Sequence, residues 1–569
     1  MATARNLFRI FVLVASMLIA APTHATPRDE LVIGMTQYPS TLHPGIETML
    51  AKTYVIRLAH RPFTTYDADW KLICMLCVEL PTFENGLARR EPLKEDKGHG
   101  KEGVAVTYTI QPEARWGDRV PVTTKDVLFT WEVGKHPQSA IANGELYRRI
   151  LSIDVIDDKT FTLHIDRVTF DYNAINDFEI LPEHLERARF NDPARYRTQT
   201  LYDADSTNPG LWFGPSKVVD KEPGAQIVFE RNPTWWGTPG PFRRVVFRVI
   251  ENTAALEANL LSGSIDMIAG EGMGLGIDQA IAFEQRHGHQ YDFIYKPGLV
   301  YEHLDLNIDN PLVADVRVRR ALLLALDRDV INRQLYGGQQ PPAPTFVSPL
   351  DWVYDPSIPA TKQDLAGAGR LLDEAGWRMG PDGIRVNDKG ARLALDLMTT
   401  AGNRSRELVE QVLQAQWKAA GIETRIRNQP ARVLFGDTLV KRKFQGLAMF
   451  AWMSAPENVP RSILHSEEIP SSSNGFAGEN FVGFHDPKVD ALLDKIEITI
   501  DPDTRKALWF ELQRIYADQL PAIPLFFRAD AFILPKWLKG VVPTGHQEPT
   551  TAWIEDWRVE TPGQERAAQ

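Results

Sequence analysis

Signals for strands and helices interleave over the whole 569-residue chain, and this alternation narrows the possible folds more than any single motif does. Residues 31–35 (LVIGM) form a short continuous apolar run suited to a buried strand, whereas Val104, Val106, Tyr108 and Ile110 alternate as in a strand with one covered face. Phe161, Leu163 and Ile165 alternate too, after the turn-like DDKT at 157–160, so the region from about 100 to 170 reads as hairpins. Farther on, helical spacing takes over. Val318, Leu322 and Ala325 fall at i, i+4 and i+7, and Leu508, Leu512 and Ile515 repeat that spacing after a start at Asp501-Pro502. Thr361 and Asp364 read as an approximate capping pair for a helix that Gly376 stops, and a helix over 404–420 ends at Gly421 before the strand-like IETRIR. A mixed α/β protein of more than one unit follows. The length agrees, because a chain of this size exceeds what one core serves and 43% hydrophobic residues are enough for two or three.

The N-terminus bears on where such a chain works. Arg5 and Arg9 precede an uncharged run at 10–21 and then small residues through His24-Ala25, the layout of a cleaved secretory signal over 1–25. That run is shorter than the roughly 20 apolar residues a spanning helix needs, so a soluble mature protein is expected. No cysteine stands at the cleavage point to take a lipid, which makes the periplasm the expected location. Without Arg5 and Arg9, 61 basic side chains face 74 acidic ones, a formal charge of −13 that argues against nucleic acid or another polyanion as partner.

Motifs for chemistry fail one by one. GEGMGLG at 270–276 invites a nucleotide reading, but the third glycine of G-x-G-x-x-G would fall on Leu275 or Ile277, which leaves a flexible loop. No Walker sequence, H-E-x-x-H or G-x-S-x-G occurs, His287 and His289 have no third ligand at a suggestive distance, and 74 acidic residues single out no catalytic pair. Neither a metal nor a cofactor is expected, and the prior for an enzyme falls. The polar RREPLKEDKGHGKE at 89–102 reads as an exposed loop.

What rises above background is an ordered series of segments. These are RWGDRVPVTTKDVLFTWE at 115–132, FGPSKVV at 213–219 with VFERNPTWWGTPGPFRRVVFRVIENTAALEANLLSGSIDMI at 228–268, LDLNIDNPLVADVRVRRALLLALDRDVI at 304–331, AGAGRLLDEAGWRMGPDGIR at 366–385 and FHDPKVDALLD at 484–494. In that order they resemble the family 5 extracellular solute-binding proteins of ABC importers, the group of dipeptide, oligopeptide and nickel binders. Most of these residues have plain structural readings as well: Thr123 or Thr124 caps a helix, Asn232-Pro233 with Trp235-Trp236 makes a packed corner, and Asp315 starts another helix.

The resemblance implies a two-lobed α/β fold of the periplasmic-binding-protein type II, with an extra domain inserted in the N-terminal lobe. Mapped here, lobe I takes 26–60, 181–295 and 527–569, the inserted domain 61–180, and lobe II 296–526. Solute would lie between the lobes and stabilise the closed form through contacts to both. A permease with its ATPase would receive it, the binding protein acting as a monomer.

A peptide-like ligand leads by family weight, held through its main chain as an added strand. Tyr38, Tyr301 and Trp452 are the aromatic candidates, each with a core role as its rival, and Asn474 is a further candidate against a turn role. In peptide-binding relatives a W-x-x-D segment supplies an aspartate for the peptide's amine. The matching AWMSAPEN keeps Trp452 but has Ala455 at that place, so either Glu457 substitutes or the ligand has no free amine. An oligosaccharide or other non-peptide solute remains an alternative, given fourteen tryptophans, as do nickel and, from outside the binding class, a secreted hydrolase.

The two cysteines, Cys74 and Cys77 in CMLC, share a spacing with redox motifs, zinc half-sites and small disulfide loops. Export to an oxidising compartment favours a local disulfide in the inserted domain, away from the cleft, with two buried thiols as its rival.

Overall fold

The computed structural model describes residues 28–94 and 101–560, so the signal-like segment lies outside the described residues. One ten-stranded sheet runs through them, in the order Glu423–Ile426, Ala394–Met398, Gly446–Met453, Tyr291–Leu306, Ala522–Pro535, Met267–Ile268, Glu30–Met35, Arg244–Val249, Gln226–Arg231 and Ser216–Glu222. The two central strands, of 16 and 14 residues, are long enough to belong to both halves. They pair antiparallel from Tyr291–Pro535 through Asp305–Ala522. Beyond that pairing, 300–306 bonds to Gly446–Met453 on one side, and Ile533 bonds to Ile268 on the other. The chain therefore crosses twice between two lobes.

The register of this ribbon slips between Pro297 and Tyr301. Pro297 has no N–H to give a ladder, and a Cβ on Gly298 would stand 2.7 Å from the carbonyl oxygen of Gly545, so both residues suit an interruption there. The interruption lies where one lobe gives way to the other.

Each lobe covers its part of the sheet. In lobe I, Leu31, Ile33 and Met35 pack with Phe229, Phe247, Trp212 and Trp557, while Leu256, Leu260 and Phe283 from helices Thr253–Leu261 and Ile277–His287 close the other face over Ile268 and Ile533. In lobe II, Leu304, Leu397 and Leu447 meet Leu413 and Trp417 of helix Arg404–Ala419, and a second cluster gathers Val353, Leu493, Trp509 and Leu512. A third core, around Tyr108, Trp116, Phe161 and Phe178, belongs to an antiparallel sheet ordered Ala88–Pro92, Glu102–Thr109, Thr160–Ile165, Ile150–Val155. Helix Thr124–Lys135 flanks this unit, its start fixed by a capping box of Thr123 and Asp126. Buried Arg57 ties the unit to lobe I by donating to Glu179, 2.9 Å away, and to Glu548, while His60 stands 3.0 Å from Glu179.

Three local expectations need correction. Asp364 alone caps helix Leu365–Glu374, accepting the Gly367 N–H at 2.7 Å; Thr361 only offers its carbonyl to Arg328 at 3.0 Å. The stretch 89–92 is an edge strand rather than a loop, because its backbone pairs with Glu102–Thr109; 95–100 lie outside the described residues. GEGMGLG is no flexible loop. Glu271, Met273 and Leu275 are buried, the Met273 carbonyl accepts both the N–H and the hydroxyl of Thr36, and Glu271 accepts the Thr550 N–H at 2.8 Å.

Cys74 ends the second strand of the hairpin Thr64–Tyr66/Leu72–Cys74, opposite Thr64, and is disulfide-bonded to Cys77. Cys77 is buried in the third core.

Candidate functional site

Strand directions locate the site. Glu30–Met35 and Met267–Ile268 run parallel, and Met267–Ile268 is antiparallel to Ala522–Pro535, so both point toward lobe II. Gly446–Met453 is antiparallel to Tyr291–Leu306 and parallel to Ala394–Met398, so this pair points toward lobe I. The carboxyl ends of both parallel sets thus face one another across the interrupted ribbon, and open α/β sheets bind ligands at such ends. The facing segments are 36–40 and 269–276 from lobe I, with 399–403 and 454–459 from lobe II.

Tyr38 follows the first of these strands. Its ring packs against the lobe I core, its hydroxyl is buried without a partner, and burial raises the phenol above its ordinary pKa. A hydroxyl held dry and unpaired can donate to an incoming acceptor. Trp452 lies near the end of Gly446–Met453, half-buried, with its ring 5.4 Å from Phe450 and 6.0 Å from Phe481. On the same face of the strand Phe435, whose ring meets Phe450 edge-on at 5.6 Å, is 38% exposed, whereas Met453, 61% exposed, follows Trp452 in the strand and belongs to the opposite face. Lobe II therefore offers an apolar, aromatic ledge.

The other three sequence candidates are engaged elsewhere. Tyr301 pairs across the ladder with Trp452 but faces the lobe II interior, 4% exposed, with its hydroxyl 3.1 Å from that of Tyr516 and its ring stacked on His303 at 4.9 Å. Glu457 adopts a left-handed backbone (φ 54°) and gives its carboxylate to Arg505 at 2.9 Å. Asn474 uses both ends of its amide on its own turn, accepting from Ser471 N–H at 2.9 Å and donating to the Ile469 carbonyl at 3.0 Å.

Residues that the sequence did not single out complete the surroundings. Asp351 accepts the Glu457 N–H at 2.9 Å; burial, helped by the Glu457 carboxylate, pushes its pKa up to about 6. Glu302, on the ribbon, accepts from Arg406 at 2.6 Å and Arg528 at 2.5 Å. Burial works to raise its carboxyl, but the two guanidiniums hold it below its ordinary value. Glu271 is the counterpart in lobe I: burial pushes its carboxyl up to about 8, with one oxygen unpartnered. Their partners lie far away in sequence, 104 and 226 residues for Glu302, so no local spacing could have revealed them.

Comparison with known proteins bears on this geometry. The family described as bacterial extracellular solute-binding proteins, family 5 Middle, matches residues 93–469, more than half of the chain. The chain belongs to that family. Its role is accordingly solute binding, as such proteins serve ABC importers. It is 26% identical over 495 residues to the oligopeptide-binding protein AppA of Bacillus subtilis, covering 84% of this chain and 85% of that one. The crystal structure of an oligopeptide-binding protein from Thermus thermophilus with a pentapeptide superposes with a TM-score of 0.68 at 29% identity, over 94% of this chain and 97% of the other. NikA of Brucella suis, solved with Fe(III)-EDTA, shares the fold with a TM-score of 0.76 at 18% identity, over 93% and 100% of the two chains. The two-lobed type II fold with an extra domain in the N-terminal lobe is the architecture of this binding protein. Among the described residues no helix is long and apolar enough to cross a membrane.

Proposed function

We propose that the protein captures a peptide-like solute between its lobes in the periplasm and passes it to the transmembrane subunits of an ABC permease, without transforming it. The observation that carries this reading is the opposition of two carboxyl-end faces across a two-strand ribbon, with the unpaired Tyr38 hydroxyl on one side and the Trp452–Phe450–Phe435 aromatic ledge on the other. An extended ligand there can hydrogen-bond through its main chain and rest apolar side chains on the ledge. The names of the Bacillus and Thermus relatives, both oligopeptide-binding, support the ligand class. Secretion through the 1–25 segment, a monomeric state and the division at about residues 60, 180, 295 and 526 belong to the same proposal, the division resting on the separate cores.

One observation favours a second reading. Ala455 offers no acid, and Glu457 is already neutralised by Arg505, so the 452–457 segment holds no free carboxylate for an ammonium. Burying an unpaired ammonium costs several kcal/mol, which favours a ligand without a free amine, such as a blocked peptide or an oligosaccharide. Among the described residues no three His, Cys, Asp or Glu side chains come together to hold a metal ion, so a bare cation is the weaker fit.

The test is to purify the protein from its native periplasm, denature it and identify what is released by mass spectrometry. Peptides are the expected result, and oligosaccharide would move the assignment to the second reading. A screen of the released compounds that left the melting temperature unchanged would count against solute binding itself.

A further inference from the structure

The inserted unit meets lobe II directly, at a contact that the ribbon does not require. The Phe170 N–H donates to the Glu497 carbonyl at 2.9 Å, and the Phe170 ring lies 4.9 Å from the Arg505 guanidinium carbon. On its other side Arg505 is 5.4 Å from the Trp352 ring. The same guanidinium donates to the carbonyls of Thr499 and Ile500, at 2.9 and 2.8 Å, and to Glu457 at 2.9 Å. Ile500 packs onto the core of the inserted unit. Tyr66, from the disulfide-bearing hairpin, adds a nearly buried phenol: burial raises its pKa, and the carboxylates of Glu457, Asp171 and Asp351 raise it further.

We infer that Phe170 and Arg505 form a clasp through which the inserted unit holds the two lobes closed over a bound solute. Three features argue for it. Phe170 follows the sheet of the inserted unit and Arg505 stands on helix Pro502–Gln519 of lobe II, so the contact joins two parts that the ribbon strands do not. Its side-chain link is the Phe170–Arg505 cation–π pair beside one backbone hydrogen bond, contacts of the strength that a ligand's differential affinity can make or break. Finally, Glu457 belongs both to the solute-facing 454–459 segment and to the clasp. A non-glycine residue held at φ 54° is strained, and here its neighbours Asp351 and Arg505 hold it so. Solute seated against 454–457 would bear directly on the partner of Arg505.

This inference rests on the binding reading, and the experiment separates the two. Wild-type, Phe170→Ala and Phe170→Leu proteins are dialysed from denaturant, refolded and compared with and without the ultrafiltrate released from protein of native periplasm. Small-angle scattering follows compaction, stopped-flow fluorescence follows release, and hydrogen exchange follows the peptide containing Phe170. The expected result is compaction of the wild type on adding ultrafiltrate, with new protection at Phe170. Release should be about 3- to 30-fold faster from Phe170→Ala, and faster also from Phe170→Leu, which keeps apolar volume but loses the ring face. Unchanged melting of the dialysed variants would show that the fold is intact. Equal release from all three proteins, or protection at Phe170 that is the same in both states, overturns the clasp. A wild type that binds nothing in the ultrafiltrate strikes at the binding reading. A clasp that closes over solute falls with it, whereas equal release or unchanged protection in a wild type that does compact overturns the clasp alone.

Discussion

Glu271 shows what a single buried carboxyl does in this protein. Its backbone is left-handed (φ 49°), one oxygen accepts the Thr550 N–H, and the other has no partner; burial, with Asp530 nearby, pushes its pKa up to about 8 from 4.5. Below about pH 4.5 the folded and unfolded chains both keep this proton. Between 4.5 and 8 the unfolded chain releases it while the folded one retains it, so stability falls as pH rises through that window. Glu271→Gln keeps the shape without the charge. It should raise the melting temperature at pH 8, by the equivalent of about 1 to 4 kcal/mol, and leave it unchanged at pH 4.5; equal shifts at both pH values would show that the carboxyl ionises freely in the fold. The same scale explains why the candidate site was only partly legible. Tyr38 could be chosen from the sequence because it follows an apolar strand run, and Trp452 because AWMSAPEN resembles the W-x-x-D segment of peptide-binding relatives. That Glu457 is taken by Arg505, 48 residues on, and Tyr301 by Tyr516, 215 residues on, depends on pairings the fold alone creates.

At the scale of elements the sequence was a better guide, because strand and helix periodicities are local properties. The alternation at 104–110 and 161–165 and the helical spacing at 318–325 and 508–515 correspond to Glu102–Thr109, Thr160–Ile165, Val316–Leu324 and Pro502–Gln519. What failed was whatever needed a partner. The 89–92 strand is polar and exists by pairing, and the glycines of 270–276 conceal a segment buried by the loops it meets. Caps are intermediate, since both Thr361 and Asp364 suit the role and only geometry selects Asp364. Asp364→Ala should therefore cost about 1 kcal/mol in denaturant unfolding, and Thr361→Ala close to nothing. The disulfide hairpin allows a similar test. A four-residue loop limits its stabilisation to about 2 kcal/mol in the chain-entropy model, so replacing Cys74 and Cys77 together with serine should lower stability by that much or less and leave solute binding within a few-fold. Because Tyr66 stands on the partner strand of Cys74, a large loss of binding would mean that the bond positions the phenol and does more than staple the hairpin.

The whole molecule turns on the two-strand ribbon, and its lobe II end depends on one carboxylate. Glu302 is 1% exposed and stands between Arg528 of the second ribbon strand and Arg406 of helix Arg404–Ala419, so it joins both strands to the lobe that must move with them. Arg406 is itself nearly buried, with 11% of its side chain exposed, and loss of the carboxylate would leave two guanidiniums facing each other. Removing the partner of the nearly buried Arg406 costs about 3 kcal/mol, because that charge is left with little solvent to relax it, while Arg528, 38% exposed, stays hydrated and adds little. Glu302→Gln should thus lower stability at pH 7 by that order. Acid should act on the wild type in the same way. With the folded pKa held below the ordinary 4.5, the contribution of Glu302 is fully present above 4.5 and is lost as pH falls through the folded value. Melting curves from pH 7 to 3 should then converge, wild type and variant differing most at neutrality and least at pH 3. Curves that stay parallel over this range would mean that the two arginines, and not the charge between them, set the strength of the ribbon.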